Sequence, residues 1–212
     1  MIYLSMQSQD LKSSITRVQD FPREGITFWD VTSLLQDGKI FAQAIDALAE
    51  RYRDRMIDKV VSPEARGFIF GAPLAKELKA GFVPMRKPGK LPRITAKQEF
   101  DLEYGTDALH MHIDALRKGD RILFVDDVLA TGGTAVACAK IVESVGGTVE
   151  ELCFLAELLY LPRDKNLERY KIYSLLQFTD EDLRSHQYLT LPCAAVIPHP
   201  LPTSVGVGGP LC

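Results

Sequence analysis

The sequence runs an apolar stretch directly into two adjacent carboxylates, in RILFVDDVLATGGTAVA at residues 121–137. Neighbouring negative charges repel each other, so Asp126 and Asp127 are a costly ending for a buried strand unless the protein uses them. The residues that follow are rich in Thr and Gly and lead into a helical pattern that starts near Thr134. An apolar strand, two acids and a Thr-Gly loop in this order predict a binding site at the end of a strand.

The loop from Ala130 to Thr134 has the chemistry of a cradle for one phosphate group. A helix N-terminus offers unpaired N–H groups and a partial positive charge. Gly132 and Gly133 let the backbone turn with its amides pointing inward, and the hydroxyls of Thr131 and Thr134 add donors. Because no lysine falls in this loop, the Walker pattern is absent, which favours a phosphate monoester over a polyphosphate.

The two acids suit the remainder of a sugar phosphate. Carboxylates accept hydrogen bonds from a vicinal diol, and they can also hold the hydrated shell of Mg²⁺. Phosphate, diol and Mg²⁺ together describe a ribose 5-phosphate, with the metal held mainly by the substrate near Asp126 and Asp127. The alternative is that Asp127 is a solvated loop residue and that Thr134 only caps the helix.

Composition narrows the class of protein. The 212-residue chain has a net charge of −3, so bulk electrostatics give no reason to expect a nucleic acid or an acidic membrane as a partner. The sequence has no apolar run of the roughly 20 residues that a membrane helix needs, and no secretory leader is recognisable at its start. We therefore expect a cytoplasmic protein. Its cysteines, which lack metal or redox spacing, are expected to be reduced.

Apolar spacing predicts an α/β fold. Leu11, Ile15 and Val18 predict a helix within residues 7–19, and Asp37 is the expected cap of a helix that runs to about residue 55. Strands and helices alternate from there on, which predicts a central parallel sheet flanked by helices. The predicted strands are DKVVS, GFVPM, ALHMHID, RILFV, TVEELCFLAEL and KIYSLLQF, and the predicted helices are GFIFGAPLAKELK and TAVACAKIVESV.

The strand ALHMHID alternates in polarity, which places Leu109, Met111 and Ile113 on one face. His110 and His112 share the other face. Two histidines on one face could suggest a metal pair, but no third ligand is in sight. We expect plain surface histidines.

The opening stretch resembles the phosphoribosyl pyrophosphate signature of the type I phosphoribosyltransferases. Four further motifs occur in that family's order and are similar to its adenine-specific branch: DFPREGITFWDVTSLL, EARGFIFGAPLA, GFVPMRKPGKLP and DLEYGTDALHMHIDAL. The resemblance runs from about residue 7 to 178. It implies a purine-salvage enzyme that transfers the 5-phosphoribosyl group from phosphoribosyl pyrophosphate to adenine, giving AMP and pyrophosphate. It also implies Mg²⁺ as cofactor and a homodimer.

The resemblance implies a second phosphate loop, which binds pyrophosphate at Glu64, Ala65, Arg66 and Gly67. It also implies a strained non-proline peptide near Ala65 that could be cis. Charge-assisted contacts from the segment RKPGK suit a diphosphate leaving group. The family implies that some of this segment reaches a neighbouring subunit. The alternatives are a plain turn and a solvated basic loop. The basic residues concerned are Arg86, Lys87 and Lys90.

The polar stretch at 86–107 is too long to be idle in a compact domain. In the family it is a loop that covers the reaction, which implies catalytic roles for Glu103 and Tyr104. Displacing pyrophosphate from the sugar develops oxocarbenium-like charge, which Glu103 could stabilise, or Glu103 could manage a proton of the purine. Water must be excluded, or the sugar would be hydrolysed. The alternative is an exposed Glu in a mobile loop.

The resemblance places the base under an N-terminal hood, ITFWD. Phe28 would stack on a flat purine, while backbone groups of Thr27 and Trp29 would read its edge. Trp29 departs from the Arg or Tyr common in the family, which puts side-chain contacts there in doubt, and Phe28 could instead be ordinary core. The expected organisation is a helix and hood at 1–35, a core at 36–179 and a C-terminal extension at 180–212.

Two rival functions remain open at this point. One keeps the fold and reaction but uses hypoxanthine, guanine or xanthine as the base. The other is a non-catalytic regulator that binds phosphoribosyl pyrophosphate. A regulator would need a DNA-binding module, and no basic helix-turn-helix segment precedes residue 20.

Overall fold

The computed structural model describes residues 10–102, 105–185 and 190–192. Its centre is a five-stranded parallel sheet in the order β4-β3-β7-β8-β9, which confirms the predicted fold class. The inner strands are nearly continuous apolar runs because helices cover both faces of the sheet. The five strands are β3 (Lys59–Pro63), β4 (Gly81–Met85), β7 (Arg121–Leu129), β8 (Thr148–Leu158) and β9 (Ile172–Phe178).

Helices pack on the two faces of this sheet. On one face lie α2 (Gly38–Tyr52) and α3 (Arg66–Glu77), whose apolar sides join one buried cluster. On the other face lies α4 (Gly133–Ser144), which packs in a second cluster. The predicted cap of α2 is confirmed, because the Asp37 side chain accepts hydrogen bonds from two backbone N–H groups of the first turn.

The N-terminal region is a small sheet rather than the helix predicted over residues 7–19. Residues 10–13 are helical, but β1 (Thr16–Gln19) follows at once and pairs antiparallel with β2 (Thr27–Asp30). The helical spacing was misleading because β-branched residues in this segment favour a strand once a partner strand is available. On its other side β1 pairs in parallel with β10 (Thr190–Pro192), so this hood sheet includes residues from the segment 180–212.

The polar stretch at 86–107 is not a loop throughout, which corrects the prediction. Residues Thr95–Leu102 form β5, which pairs antiparallel with β6 (Gly105–His112) as a separate two-stranded hairpin. Its polar composition hid the strand, since a hairpin outside the central sheet needs few apolar residues. Of the face predicted for β6, Leu109 and Met111 are buried, but Ile113 lies beyond the strand and is exposed.

Strand β7 continues through Asp126 and Asp127 to Leu129, whereas the sequence predicted its end at Val125. Asp126 is in register with Phe154 of β8, and Asp127 lies between Asp126 and Val128, which are both in register with β8. The remaining elements are α1 (Thr32–Leu35), a 3₁₀ helix (Lys165–Arg169) and α5 (Asp180–Arg184). No helix in the described part of the chain is long and apolar enough to cross a membrane. Cys138 and Cys153 are buried free thiols.

Candidate active site

A cleft of about 590 Å³ opens at the carboxyl edge of the central sheet. Parallel strands of an α/β sheet all end at this edge, so residues distant in sequence converge there. The hood forms one wall, and the start of α3 and the ends of β7 and β8 form the others. The predicted residues that line it are Thr27, Phe28, Trp29, Glu64, Ala65, Arg66, Asp126, Asp127, Ala130 and Thr134.

The acid pair lies at the floor of this cleft. The backbone N–H of Asp127 donates to Oδ1 of Asp126 at 2.9 Å, and Arg66 forms an ion pair with Asp127. A Cβ atom at Gly67 would lie only 2.8 Å from Oδ1 of Asp126, so glycine allows α3 to begin directly over the acids. Burial, and then the charge of Asp127, raise the pKa of Asp126 well above its ordinary value.

A hollow of about 90 Å³ adjoins the cleft and is formed by the loop predicted to cradle phosphate. Gly132 has a left-handed φ of +89° as N-cap of α4, a conformation that side chains rarely adopt. A Cβ atom there would also collide with Leu167 of the 3₁₀ helix. The hollow, which shares several of its residues with the cleft, is lined among others by Ala130, Thr131, Gly132, Gly133 and Thr134.

The second predicted phosphate loop follows β3, and the Glu64–Ala65 peptide is cis. Nε of Arg86 donates to Glu64 at 2.7 Å, and the backbone N–H of Lys87 donates to the same carboxylate at 2.9 Å. Burial opposes ionisation of Glu64, but these two donors lower its pKa overall. Arg86, Lys87 and Lys90 therefore lie beside this loop, and they are not among the residues lining the cleft.

On the hood side, Phe28 is partly exposed to the cleft. Its ring makes an edge contact with Phe21 at 5.1 Å between centroids, and the Arg66 guanidinium lies 5.6 Å from its centroid. Trp29 differs, because its side chain is only 2% exposed and packs towards the core. The indole stacks on Phe178, and Trp29 is also among the residues that line the cleft.

Glu103 and Tyr104 lie outside the described residues, so their predicted catalytic roles stay predictions. His110 and His112 are half-buried rather than on the surface, and Nδ1 of His110 pairs with the Thr95 hydroxyl at 2.9 Å. Among the residues that the structure describes, no group of three or more potential metal-ligating side chains occurs.

The sequence interpretation missed one wall of the cleft, formed by Leu158, Tyr160 and Leu161 at the end of β8. A signal was present, because TVEELCFLAEL was a predicted strand next in sequence to the β7 unit. Residues after its last position belong at the same edge as the acids. Gly25 and Ile26 of the hood also line the cleft and were not singled out.

Comparison with known proteins identifies the family. A model of the phosphoribosyl transferase domain matches residues 30–188. An adenine phosphoribosyltransferase of Escherichia coli O157:H7 is 52% identical over 176 residues, which are 82% of this chain and 96% of that protein. The chain belongs to the adenine phosphoribosyltransferase family.

Solved adenine phosphoribosyltransferases share the fold. That of Thermoanaerobacter pseudethanolicus is 51% identical and superposes with a TM-score of 0.78 over 81% of this chain and 99% of that one. That of Saccharomyces cerevisiae, complexed with adenine and an imino-altritol bisphosphate, is 36% identical with a TM-score of 0.75, over 81% and 99% of the two chains. The similarity therefore extends over the whole length of these adenine phosphoribosyltransferases.

Proposed function

We propose that the protein transfers the 5-phosphoribosyl group from phosphoribosyl pyrophosphate to adenine, producing AMP and pyrophosphate in purine salvage. The observation that carries this proposal is that the acid pair and the hood line one cleft, with the Thr-Gly hollow adjoining it. The yeast relative, whose complex contains adenine and a bisphosphate, supports the same reaction.

The sugar phosphate is bound by the two predicted elements of the opening stretch. Backbone amides of Thr131, Gly132 and Gly133, with the hydroxyl of Thr134, hold the 5-phosphate in the hollow next to α4. The carboxylates of Asp126 and Asp127 accept hydrogen bonds from the vicinal diol of the ribose. Ala130 leads the chain from the acids into the cradle, and its small side chain leaves the space between them open.

Pyrophosphate is bound at the start of α3. Arg66 is paired with Asp127. When a diphosphate enters, the guanidinium moves to its oxygens, which frees the Asp127 carboxylate for the diol. Glu64 and Ala65 shape this loop, and Arg86, Lys87 and Lys90 add positive charge beside it.

The base lies between the hood and the end of β8. Phe28 stacks on the purine, and the backbone of Thr27 and Trp29 reads its edge. Under this arrangement a purine nitrogen attacks the sugar carbon, so that a C–N bond replaces the C–O bond to the departing pyrophosphate, and the purine imidazole ring loses its proton. Glu103 and Tyr104 are proposed to act at that point, with Glu103 stabilising the developing positive charge or accepting that proton.

Mg²⁺ fits this site as an ion carried largely by the substrate. The donor set in the described residues is two neighbouring carboxylates rather than a cage of three or more ligands, so Asp126 and Asp127 would contact its hydration shell. Bound there, the ion would neutralise charge on the diphosphate leaving group.

We further propose a cytoplasmic homodimer, with the division at residues 35 and 179 into hood, core and extension. The homodimer rests on the family resemblance, which implies that some of the segment containing Arg86, Lys87 and Lys90 reaches a neighbouring subunit. Pairing of β10 with β1 indicates that the extension contributes to the hood.

A panel of bases tests the proposal. Purified protein with Mg²⁺ and phosphoribosyl pyrophosphate is assayed for nucleotide formation from adenine, hypoxanthine, guanine and xanthine. We expect AMP from adenine and at least about 100-fold lower kcat/KM for the 6-oxopurines, since a site built to hydrogen-bond one edge rejects another strongly. Preference for an oxopurine would establish the first rival. Binding of phosphoribosyl pyrophosphate without turnover of any base would establish the regulator.

A further inference from the structure

Tyr160 lines the cleft but has no role in the reaction as described so far. It follows the last residue of β8, Leu158, by two positions. It shares the cleft with Thr27, Phe28 and Trp29, which are the residues proposed to hold the base. Tyr160 is therefore close to the part of the substrate on which specificity depends.

The direction of its hydroxyl is constrained by Trp29. Nε1 of the indole donates to the Tyr160 hydroxyl oxygen at 3.1 Å. Since an indole N–H can only donate, the phenol oxygen is the acceptor, and its own proton must point elsewhere. Within residues 10–102, 105–185 and 190–192, no acceptor receives that proton.

Trp29 is itself held firmly. Its ring stacks on Phe178 with 4.1 Å between centroids and 30° between planes, and Phe178 is fully buried. Rotating the indole would open the core, so the hydrogen bond fixes Tyr160 at the rim of the base site. Burial raises the pKa of Tyr160 above its already high ordinary value, so the hydroxyl remains a donor at neutral pH.

We propose that Tyr160 is a specificity-determining residue of the base site, whose hydroxyl donates a hydrogen bond to an unprotonated ring nitrogen of the purine. This inference rests on the proposed function and adds a side-chain contact to a site otherwise made of backbone groups and a stacking ring. Adenine offers such lone pairs at N1, N3 and N7. A base that lacks the lone pair at the contacted position loses the bond.

The test determines which ring nitrogen of the base contacts the Tyr160 hydroxyl. Inhibition constants of 1-, 3- and 7-deazaadenine against adenine are measured for the wild-type protein and for Tyr160→Phe, which keeps the ring. In the wild type, one analogue should bind about three- to tenfold more weakly than adenine through loss of this bond. In Tyr160→Phe, adenine should weaken by the same factor, and the penalty for that analogue should disappear.

Two variants act as controls. Trp29→Phe removes the indole donor but leaves the Tyr160 hydroxyl, so the penalty for the same analogue should shrink without vanishing. Tyr173→Phe removes a hydroxyl from a tyrosine that packs against Arg51, and it should change none of the constants. Melting temperatures of all variants verify folding.

The inference is overturned if Tyr160→Phe weakens adenine and every analogue by one common factor, which would make Tyr160 only an anchor for the hood. It is equally overturned if no constant changes. Failure of the proposed function is distinct, because it would appear as a wild-type protein that makes no AMP from adenine.

Discussion

Glu151 and the pair Asp126 and Asp127 are acidic residues on neighbouring strands of the sheet, and they differ in their hydrogen-bond partners. Glu151, near the start of β8, accepts two hydrogen bonds from Arg51, at 2.7 and 2.8 Å, and one from the hydroxyl of Tyr52 at 2.7 Å. Asp126 and Asp127, near the end of β7, lie beside each other, and a hydrogen bond from the backbone of one to the side chain of the other holds them there.

The ionisation of the two groups differs accordingly. Burial opposes ionisation of Glu151, but its hydrogen bonds to Arg51 and Tyr52 outweigh burial and lower its pKa. Burial and a like charge instead raise the pKa of Asp126. A carboxylate whose lone pairs are filled by the protein is a structural element. The acid pair at the floor of the cleft has a partly exposed cation, Arg66, on Asp127, and it keeps acceptor capacity for a ligand.

The largest effect is expected from Asp127→Ala. Loss of the acceptor for the ribose diol should raise KM for phosphoribosyl pyrophosphate about 100-fold, which corresponds to about 3 kcal/mol for charge-assisted hydrogen bonds. Steady-state kinetics at saturating adenine measure this change. Asp114→Ala, which removes an exposed acid paired with Arg93, is the matched control and should leave KM unchanged. An equal effect in both variants would contradict the assignment.

Glu151→Ala should have the converse effect. It leaves the guanidinium of Arg51 without its buried partner, so the free energy of unfolding should fall by about 3 kcal/mol. Urea denaturation measures the change, while KM for both substrates in the folded protein stays within about twofold. Glu151→Gln keeps the shape of the side chain and should lower the free energy of unfolding by less. Normal stability with impaired substrate binding would show that Glu151, like Asp126 and Asp127, acts in substrate binding.

Asp126→Asn should stabilise the protein while weakening substrate binding. The amide oxygen still accepts from the backbone N–H of Asp127, and the like charge disappears. We expect the melting temperature at neutral pH to rise by a few degrees, at about 2–4 °C per kcal/mol for a domain of this size. Thermal scans without ligand measure it. A lower melting temperature would mean that the Asp126 charge is compensated in the folded state.

The smallest effect is a difference in pH dependence between the two groups. Because folding raises the pKa of Asp126, ionised Asp126 lowers the free energy of unfolding. This loss of stability is absent below the ordinary pKa of 3.8 and grows as pH rises above it. The gain in melting temperature of Asp126→Asn over the wild type should therefore also grow as pH rises. Glu151 has a lowered pKa, so its stabilisation is present above 4.5 and lost as pH falls. The deficit of Glu151→Gln should therefore shrink in acid. Parallel pH profiles would contradict the comparison.

Local patterns in the sequence predicted most of the core. The apolar runs of β7 and β8 and the capped stripe of α2 are specified by neighbouring residues, so their positions followed from the sequence. Strands β1 and β5 did not, because each is stabilised by a partner strand that local spacing cannot display. The end of β7 was misplaced for a related reason, since pairing with β8 carries the strand past the charged residues.

The part of the candidate site that is contiguous in sequence could be predicted. The stretch from Asp126 to Thr134 contains its own strand, acids and loop, so its chemistry could be inferred directly. The end of β8 could have placed Tyr160 at this edge, but the role of Tyr160 could not be predicted, because it depends on a contact with Trp29 across 131 positions of sequence. The pairing of Arg66 with Asp127 was likewise invisible, since it depends on how closely Gly67 lets α3 approach the sheet.

The three-stranded sheet β10-β1-β2 has an evolutionary consequence. Its strands come from residues near both ends of the described chain, while Asp126 and Asp127 lie on the five-stranded sheet. If the hood holds the base as proposed, substitutions in the hood sheet can alter base binding while the acid pair and its strand stay unchanged. Base preference and sugar-phosphate binding can then diverge independently.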